Sequence, residues 1–318
     1  HWGPIPWGFY LVLSAAFGFM LHVRKRTRQK YSEACRPVLG NKVDGIAGKL
    51  IDLIAVFALL AGTATTFSLA TPLLAGAISS VTGIPQSTGL TLVILVIVCA
   101  IYTFSVYFGM KGVQLSAATC TWLFFGLLAY VFFFGGQTRF IIEEGITALG
   151  NLTQNFIGLA TWTDSLRTSS FPQTWTIFYW AYWMVWCVAV PFFIGSISKG
   201  RTLRQVILGG YVFGLSGTFT SFIIMGNYGL GLQMHGKLDV LSTYTADGNL
   251  YHAILDILGQ LPLSKAVLVL LVLCMITFYS TSFDSITMVA STYTYKELKS
   301  DEEPHRNVKL FWAIFLIL

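Results

Sequence analysis

Residues 89–109 read GLTLVILVIVCAIYTFSVYFG, a stretch without a single charged side chain. At ~1.5 Å of rise per helical residue it is long enough to cross a hydrocarbon layer ~30 Å thick. In lipid the backbone must satisfy its own N–H and C=O groups, so an apolar run of this length reads as a transmembrane helix. Six comparable runs flank it, at roughly 4–23, 50–80, 115–135, 174–197, 206–232 and 264–294. A further run, 308–318, is too short to cross. The chain of 318 residues is 55% hydrophobic and 11% charged, with a mean hydropathy of +0.68, and lacks the charged surface of a soluble domain. The expected fold is therefore all-α, a polytopic membrane protein forming a single helical bundle over 1–318, with about seven complete spans and part of an eighth. Apolar runs lie close to both ends and the first residue is His1, so the natural protein is expected to be longer on both sides.

The net charge is +6, and the placement of the basic residues is more telling than their number. With the His1 end outside, the inner loops are 24–49, 110–114, 198–205 and 295–309. They hold every Lys and Arg except Arg139, Arg167, Lys237 and Lys265. By the positive-inside rule the His1 end is extracytoplasmic and loop 24–49 is cytoplasmic, in a multi-pass protein of the cell (inner) membrane. The basic residues follow loop parity and form no continuous face, which argues against nucleic acid as a partner and leaves the lipid bilayer. The five cysteines contain no CxxC pair and four lie in or beside apolar spans, so no disulfide or zinc framework is expected.

Segment 136–165 breaks the apolar pattern with Arg139, Glu143, Glu144 and Asn151, while Ile142, Ile146, Leu149 and Phe156 recur at helical spacing. It reads as an amphipathic helix on the outer surface, connecting two spans. Leu250 to Leu258 reads the same way, ending at Gly259 and Pro262. Two hydroxyl-rich patches, Gly62 to Ser68 and Thr277 to Ser285, lie inside spans. They fit either small-residue helix contact or a cation site lined by hydroxyls and freed carbonyls of a broken helix. No internal repeat shows at the level of identity.

The candidate binding residues are aromatic. Trp175-Thr-Ile-Phe178-Tyr179-Trp180-Ala-Tyr182-Trp183-Met-Val-Trp186 is the densest ring cluster. An interfacial belt of Trp and Tyr explains Trp175. It does not explain Trp186, which lies more than ~15 Å further along the helix. Tyr182, Trp183 and Trp186 share a broad face. A trimethylammonium group has no N–H to donate, so ring faces are its natural ligands. A second set, Trp2, Trp7 and Tyr10, opens the chain and fits either an outer belt or the other half of such a site. Asp284 is the one acidic residue well inside a span, a functional candidate or a structural brace. No HExxH, GxSxG, P-loop or paired deep carboxylate is present, so an enzyme is not expected.

With these residues in view, the chain resembles the betaine/carnitine/choline transporter family (BCCT). The aromatic run 175–186 followed by Ile197-Ser-Lys-Gly-Arg-Thr202 looks like that family's signature. His1-Trp2-Gly3 with Trp7 and Tyr10 is similar to its fourth helix, and Thr281-Ser282-Phe283-Asp284-Ser285 resembles its T-S-x-D-S stretch. The match runs from the family's fourth helix into part of its eleventh. The resemblance implies a LeuT-like inverted-repeat fold, usually a homotrimer, and secondary transport of a quaternary-ammonium solute such as glycine betaine, carnitine or choline. It implies a substrate box of Trp2, Trp7, Tyr10, Tyr182, Trp183 and Trp186. It also implies sodium ligation at Thr281 and Ser282 with Phe278 one turn earlier, and no cofactor beyond Na+ or H+ as coupling ion. The departures are Tyr182 for a Trp, Lys199 for an Arg, and Cys187-Val-Ala-Val190 for a more usual S-P-F-V. The stretch 296–304 looks closer to the carnitine branch, whose exchangers run without sodium. Sodium-coupled symport and ion-independent substrate:product antiport both stay open, with a channel or membrane sensor as the reading from a different class.

Overall fold

The computed structural model describes residues 2–107, 110–298 and 302–316. His1, part of the 296–304 stretch and the last two residues of the 308–318 run lie outside them. No strand occurs among the described residues. The chain opens with α1 (Pro4–Gly18), whose last turn continues through Phe19–Val23, followed by two single turns, α2 (Tyr31–Ala34) and α3 (Arg36–Leu39). Three long helices come next: α4 (Ile46–Thr82), α5 (Thr88–Tyr107) and α6 (Met110–Phe134). After them run α7 (Thr138–Thr161), α8 (Ile177–Trp186), α9 (Ala189–Ile197), α10 (Leu203–Ser221) and α11 (Asn227–Met234). The short α12 (Val240–Asp247) and α13 (Leu250–Gly259) precede α14 (Ser264–Tyr293) and α15 (Arg306–Phe315).

Among the described residues six helices are long and apolar enough to cross a membrane, and the pair α8 and α9, bent by 47°, counts as a seventh if taken as one broken span. The bend has a local cause. Pro191 has no N–H to donate to the carbonyl of Cys187 four residues earlier, so the ladder fails between Trp186 and Ala189. In contrast, both hydroxyl-rich patches lie inside unbroken helices, and their hydroxyls fold back on the backbone. Thr63, Thr65 and Thr66 donate to the carbonyls of Leu59, Ala61 and Gly62, and Thr281 donates to that of Phe278. The broken span lies elsewhere, at α8 and α9.

The helix α14 is the axis of the bundle. It contributes Tyr279, Phe283, Ile286 and Val289 to a core shared with α1, α4, α5, α9 and α15. Leu268, Leu271 and Cys274 enter a second core with α6, α7, α11 and α13. Close approach of α1 and α9 rests on small residues. A Cβ at Gly195 would stand 2.8 Å from the Cβ of Phe17 and 2.9 Å from the backbone N of Gly18. Lipid is as apolar as leucine, so packing at backbone range is what associates such helices.

The basic loops meet at one end of the bundle. Leu298 N donates to the Thr27 carbonyl, Gln29 Nε2 to that of Leu298, and His22 Nε2 reaches the carbonyls of Gly195 and Ser196. There Arg36 pairs with Glu33 at 2.7 Å and Asp44 at 2.7 Å, and Arg28 pairs with Asp44 at 2.8 Å. Two carboxylates hold the Arg36 guanidinium above its ordinary range, and the same contacts hold Asp44 below its own.

Candidate functional site

Two elements supply the rings. In α1, Pro4 and Pro6 fill the first turn, where their missing N–H groups cost nothing, and Trp7 and Tyr10 follow three residues apart on one face. In α8 the aromatic run is helical up to the bend. The ring centroids of Tyr10 and Trp183 are 4.6 Å apart, those of Trp7 and Trp183 5.7 Å, and those of Trp7 and Tyr10 6.0 Å. These three form one cluster, Trp7 meeting both Tyr10 and Trp183 edge to face and Tyr10 lying tilted against Trp183.

The other candidate residues join it less directly. Trp2 stacks on Tyr179 at 4.8 Å, and Tyr179 lies 5.9 Å from Trp183, so Trp2 is one ring removed. Tyr182 and Trp186, 6.3 Å apart, turn toward α4 instead. The Tyr182 hydroxyl and Thr66 Oγ1 are 2.7 Å apart, and the Trp186 indole lies against Gly62, 3.6 Å from where a Cβ would stand. Successive helical residues point ~100° apart, so Tyr182 and Trp183 serve different neighbours.

Trp7 is held from behind by α10. Its Nε1 donates to Thr218 Oγ1 at 3.2 Å, and a Cβ at Gly214 would stand 2.6 Å from the indole. Trp2 Nε1 donates to Thr176 Oγ1 at 3.3 Å. Above Trp2 lies the loop 162–171, in which Phe171 stacks on Trp2 at 5.8 Å and on Trp162 at 6.4 Å. The loop is built around Asp164, whose carboxylate accepts from the N–H groups of Thr168, Ser169 and Ser170 and from the hydroxyls of Thr168 and Ser169. Those donors, the Ser169 N–H foremost, hold Asp164 well below the usual carboxylate range.

Sequence reasoning passed over Tyr179, Phe171, Gly214 and Thr218. Tyr179 carried a signal, since it stands four residues before Trp183 in the same run. Gly214 and Thr218 are more than two hundred residues from Trp7, and nothing local marks them.

In the ion candidate, Phe278 packs edge-on against Phe124 of α6 at 5.2 Å, and Thr281 donates to the Phe278 carbonyl at 3.0 Å. Ser282 is half-buried. No group of three or more His, Cys, Asp or Glu suited to a metal ion occurs among the described residues.

Residues 1–318 match the family described as BCCT, betaine/carnitine/choline family transporter. The chain belongs to this family. It is also similar to a carnitine transporter of Acinetobacter baumannii, with 28% identity over 320 residues covering all of this chain. The chain spans 58% of that protein's length. As a BCCT chain it carries its aromatic cluster where a straight span meets a bent one, α1 against α8, with the ladder break of Cys187–Val188 one residue beyond Trp186. A kinked helix beside a ring cluster can open or close that cluster by a small change at the break, without unfolding either side.

Proposed function

We propose that this protein is a secondary transporter for a small quaternary-ammonium solute of the betaine, carnitine or choline class. The proposal includes the trimethylammonium group being held by Trp7, Tyr10 and Trp183. The observation that carries this is the convergence of those three rings, all within 6.0 Å of one another, from two different spans. A cation without N–H donors gains most from ring faces in a desolvated place. The rings are packed against one another, edge to face and tilted, so the solute enters when α1 and α8 part, which is the rocking step of alternating access.

The driving ion in this reading is sodium or a proton, with Thr281, Ser282 and Phe278 as the sodium candidate. Ion-independent antiport is the alternative. In this reading loop 24–49 is cytoplasmic and α7 lies along the outer surface of the inner membrane, which the gathering of basic loops at one end of the bundle supports. A homotrimer is the expected assembly.

The experiment is uptake of radiolabelled betaine, carnitine and choline by the intact protein in proteoliposomes. Trp183→Ala removes one cation–π partner, ~1–2 kcal/mol in a desolvated site, and should raise KM about tenfold. Unchanged uptake of all three solutes would refute the ring site. Replacing sodium by potassium, alone and with Thr281→Ala, decides between the sodium reading and the others.

A further inference from the structure

The basic end of the bundle holds a cavity of about 710 Å³ in which the aromatic cluster has no part. Three segments wall it: loop 24–49, the first turns of α4, and the end of α14 with the residues just after it. They are tied to one another. Tyr31 N donates to the Tyr293 hydroxyl at 3.0 Å, and Leu298 N to the Thr27 carbonyl at 2.7 Å. Ser32 donates its N–H and its hydroxyl to Asp52 at 3.0 and 2.9 Å. The walls are thus fixed in place by bonds between segments that are far apart in sequence.

The cations in these walls outnumber the carboxylates, and most of the carboxylates are already engaged. Arg36 holds Glu33 and Asp44 at 2.7 Å each. Arg28 holds Asp44 at 2.8 Å and reaches Asp52 at 3.6 Å, and Arg26 lies 3.6 Å from Glu33. Among the described residues, the ammonium groups of Lys30, Lys49 and Lys296 have neither an ion pair nor a hydrogen bond, and only the Glu297 carboxylate is left to offset them. Three free ammonium groups around one cavity suit a phosphate, which each can meet as a point charge.

The rest of the wall says which phosphate. Lys49, Leu53 and Val56 all line the cavity and share one face of α4 at spacings of four and three, so the cavity climbs ~10 Å from the charged rim along an apolar span. Leu53 is 51% exposed, and beside it Leu50, Ile54 and Phe57 are exposed as well. A small soluble anion makes no use of that wall. A phospholipid uses both parts, its phosphate against the lysines and its chains against the leucine side of α4.

We propose that this cavity binds the headgroup of an anionic phospholipid, with the phosphate at Lys30, Lys49 and Lys296 and the acyl chains along α4. The bound lipid ties loop 24–49 to α4 and to the end of α14. The site depends on the chain spanning a membrane and on neither the solute nor the coupling ion.

The test is native mass spectrometry of the intact protein titrated with phosphatidylglycerol or with phosphatidylcholine of the same chains. A lysine near an anionic headgroup is worth roughly fivefold in affinity, so the wild type should prefer phosphatidylglycerol by about tenfold or more. Lys30→Gln, Lys49→Gln and Lys296→Gln together should abolish that preference. Lys25→Gln, Lys199→Gln and Arg204→Gln together remove the same charge at exposed positions outside the cavity and should leave it intact. Lys49→Gln alone should cost about fivefold, which covers the case in which the first triple variant fails to fold. Inorganic phosphate or glycerol phosphate at the lipid's own concentration should not displace it. A wild type without the preference, or an equal loss in both triple variants, would overturn the site. Displacement by either soluble phosphate would assign the cavity to a soluble anion and overturn the lipid.

Discussion

At the scale of single residues, the rings proposed to hold the solute differ from those that hold other rings. Trp7 touches both Tyr10 and Trp183, whereas Trp2 reaches the cluster only through Tyr179. Trp7→Ala should therefore weaken binding about as much as Trp183→Ala, roughly tenfold. Trp2→Ala should cost clearly less. Equilibrium binding of labelled solute to the two purified variants checks this, and equal losses would mean that the site extends outward to Trp2. Trp7, Tyr10 and Trp183 were readable one span at a time as rings at helical spacing. Their convergence was not, because it depends on Gly214 and Thr218 holding the Trp7 indole from a helix that carries no aromatic run of its own.

At the scale of elements, the loop 162–171 and the amphipathic α7 are the pieces that can be probed separately. Asp164 organises the loop, and its folded-state pKa is depressed, so its contribution is fully present above the ordinary carboxylate value of about 3.9 and is lost as pH falls through the folded value. Asp164→Asn should loosen the loop at neutral pH and remove that acid-side transition. A cysteine at the exposed Leu166 should then react faster with a thiol reagent in the Asn background than in the Asp background. In α7, Arg139 and Glu143 pair at 2.8 Å in the open, and Ile142 and Ile146 are exposed on another face. The outer-surface placement predicts that Glu144→Cys is labelled by an impermeant thiol reagent from outside; labelling only from inside would reverse the topology. The spans were legible as charge-free runs because lipid demands them. The bend was less so, since the hydroxyl patches carry the more visible signal in the sequence, whereas the decisive residue is Pro191 acting on the carbonyl of Cys187.

At the scale of the whole molecule, the bundle is held by close backbone approach and by α14 running through both cores. Gly195→Ala places a methyl group against the Cβ of Phe17 and the backbone of Gly18, neither the end of a flexible side chain. Overpacking of this kind costs about 1–3 kcal/mol, so the variant should melt earlier in detergent than the wild type, with α1 and α9 separating first. The central claim is that a ring cluster joining α1 to α8 recognises the positive charge of a quaternary ammonium group and not merely its bulk. The most direct measurement compares binding of glycine betaine with that of its carbon isostere, in which a tert-butyl group replaces trimethylammonium, in wild type and in Trp183→Ala. The account predicts that the wild type prefers the cation by about tenfold or more and that Trp183→Ala loses most of that preference. Equal affinity for the two molecules in the wild type would contradict it.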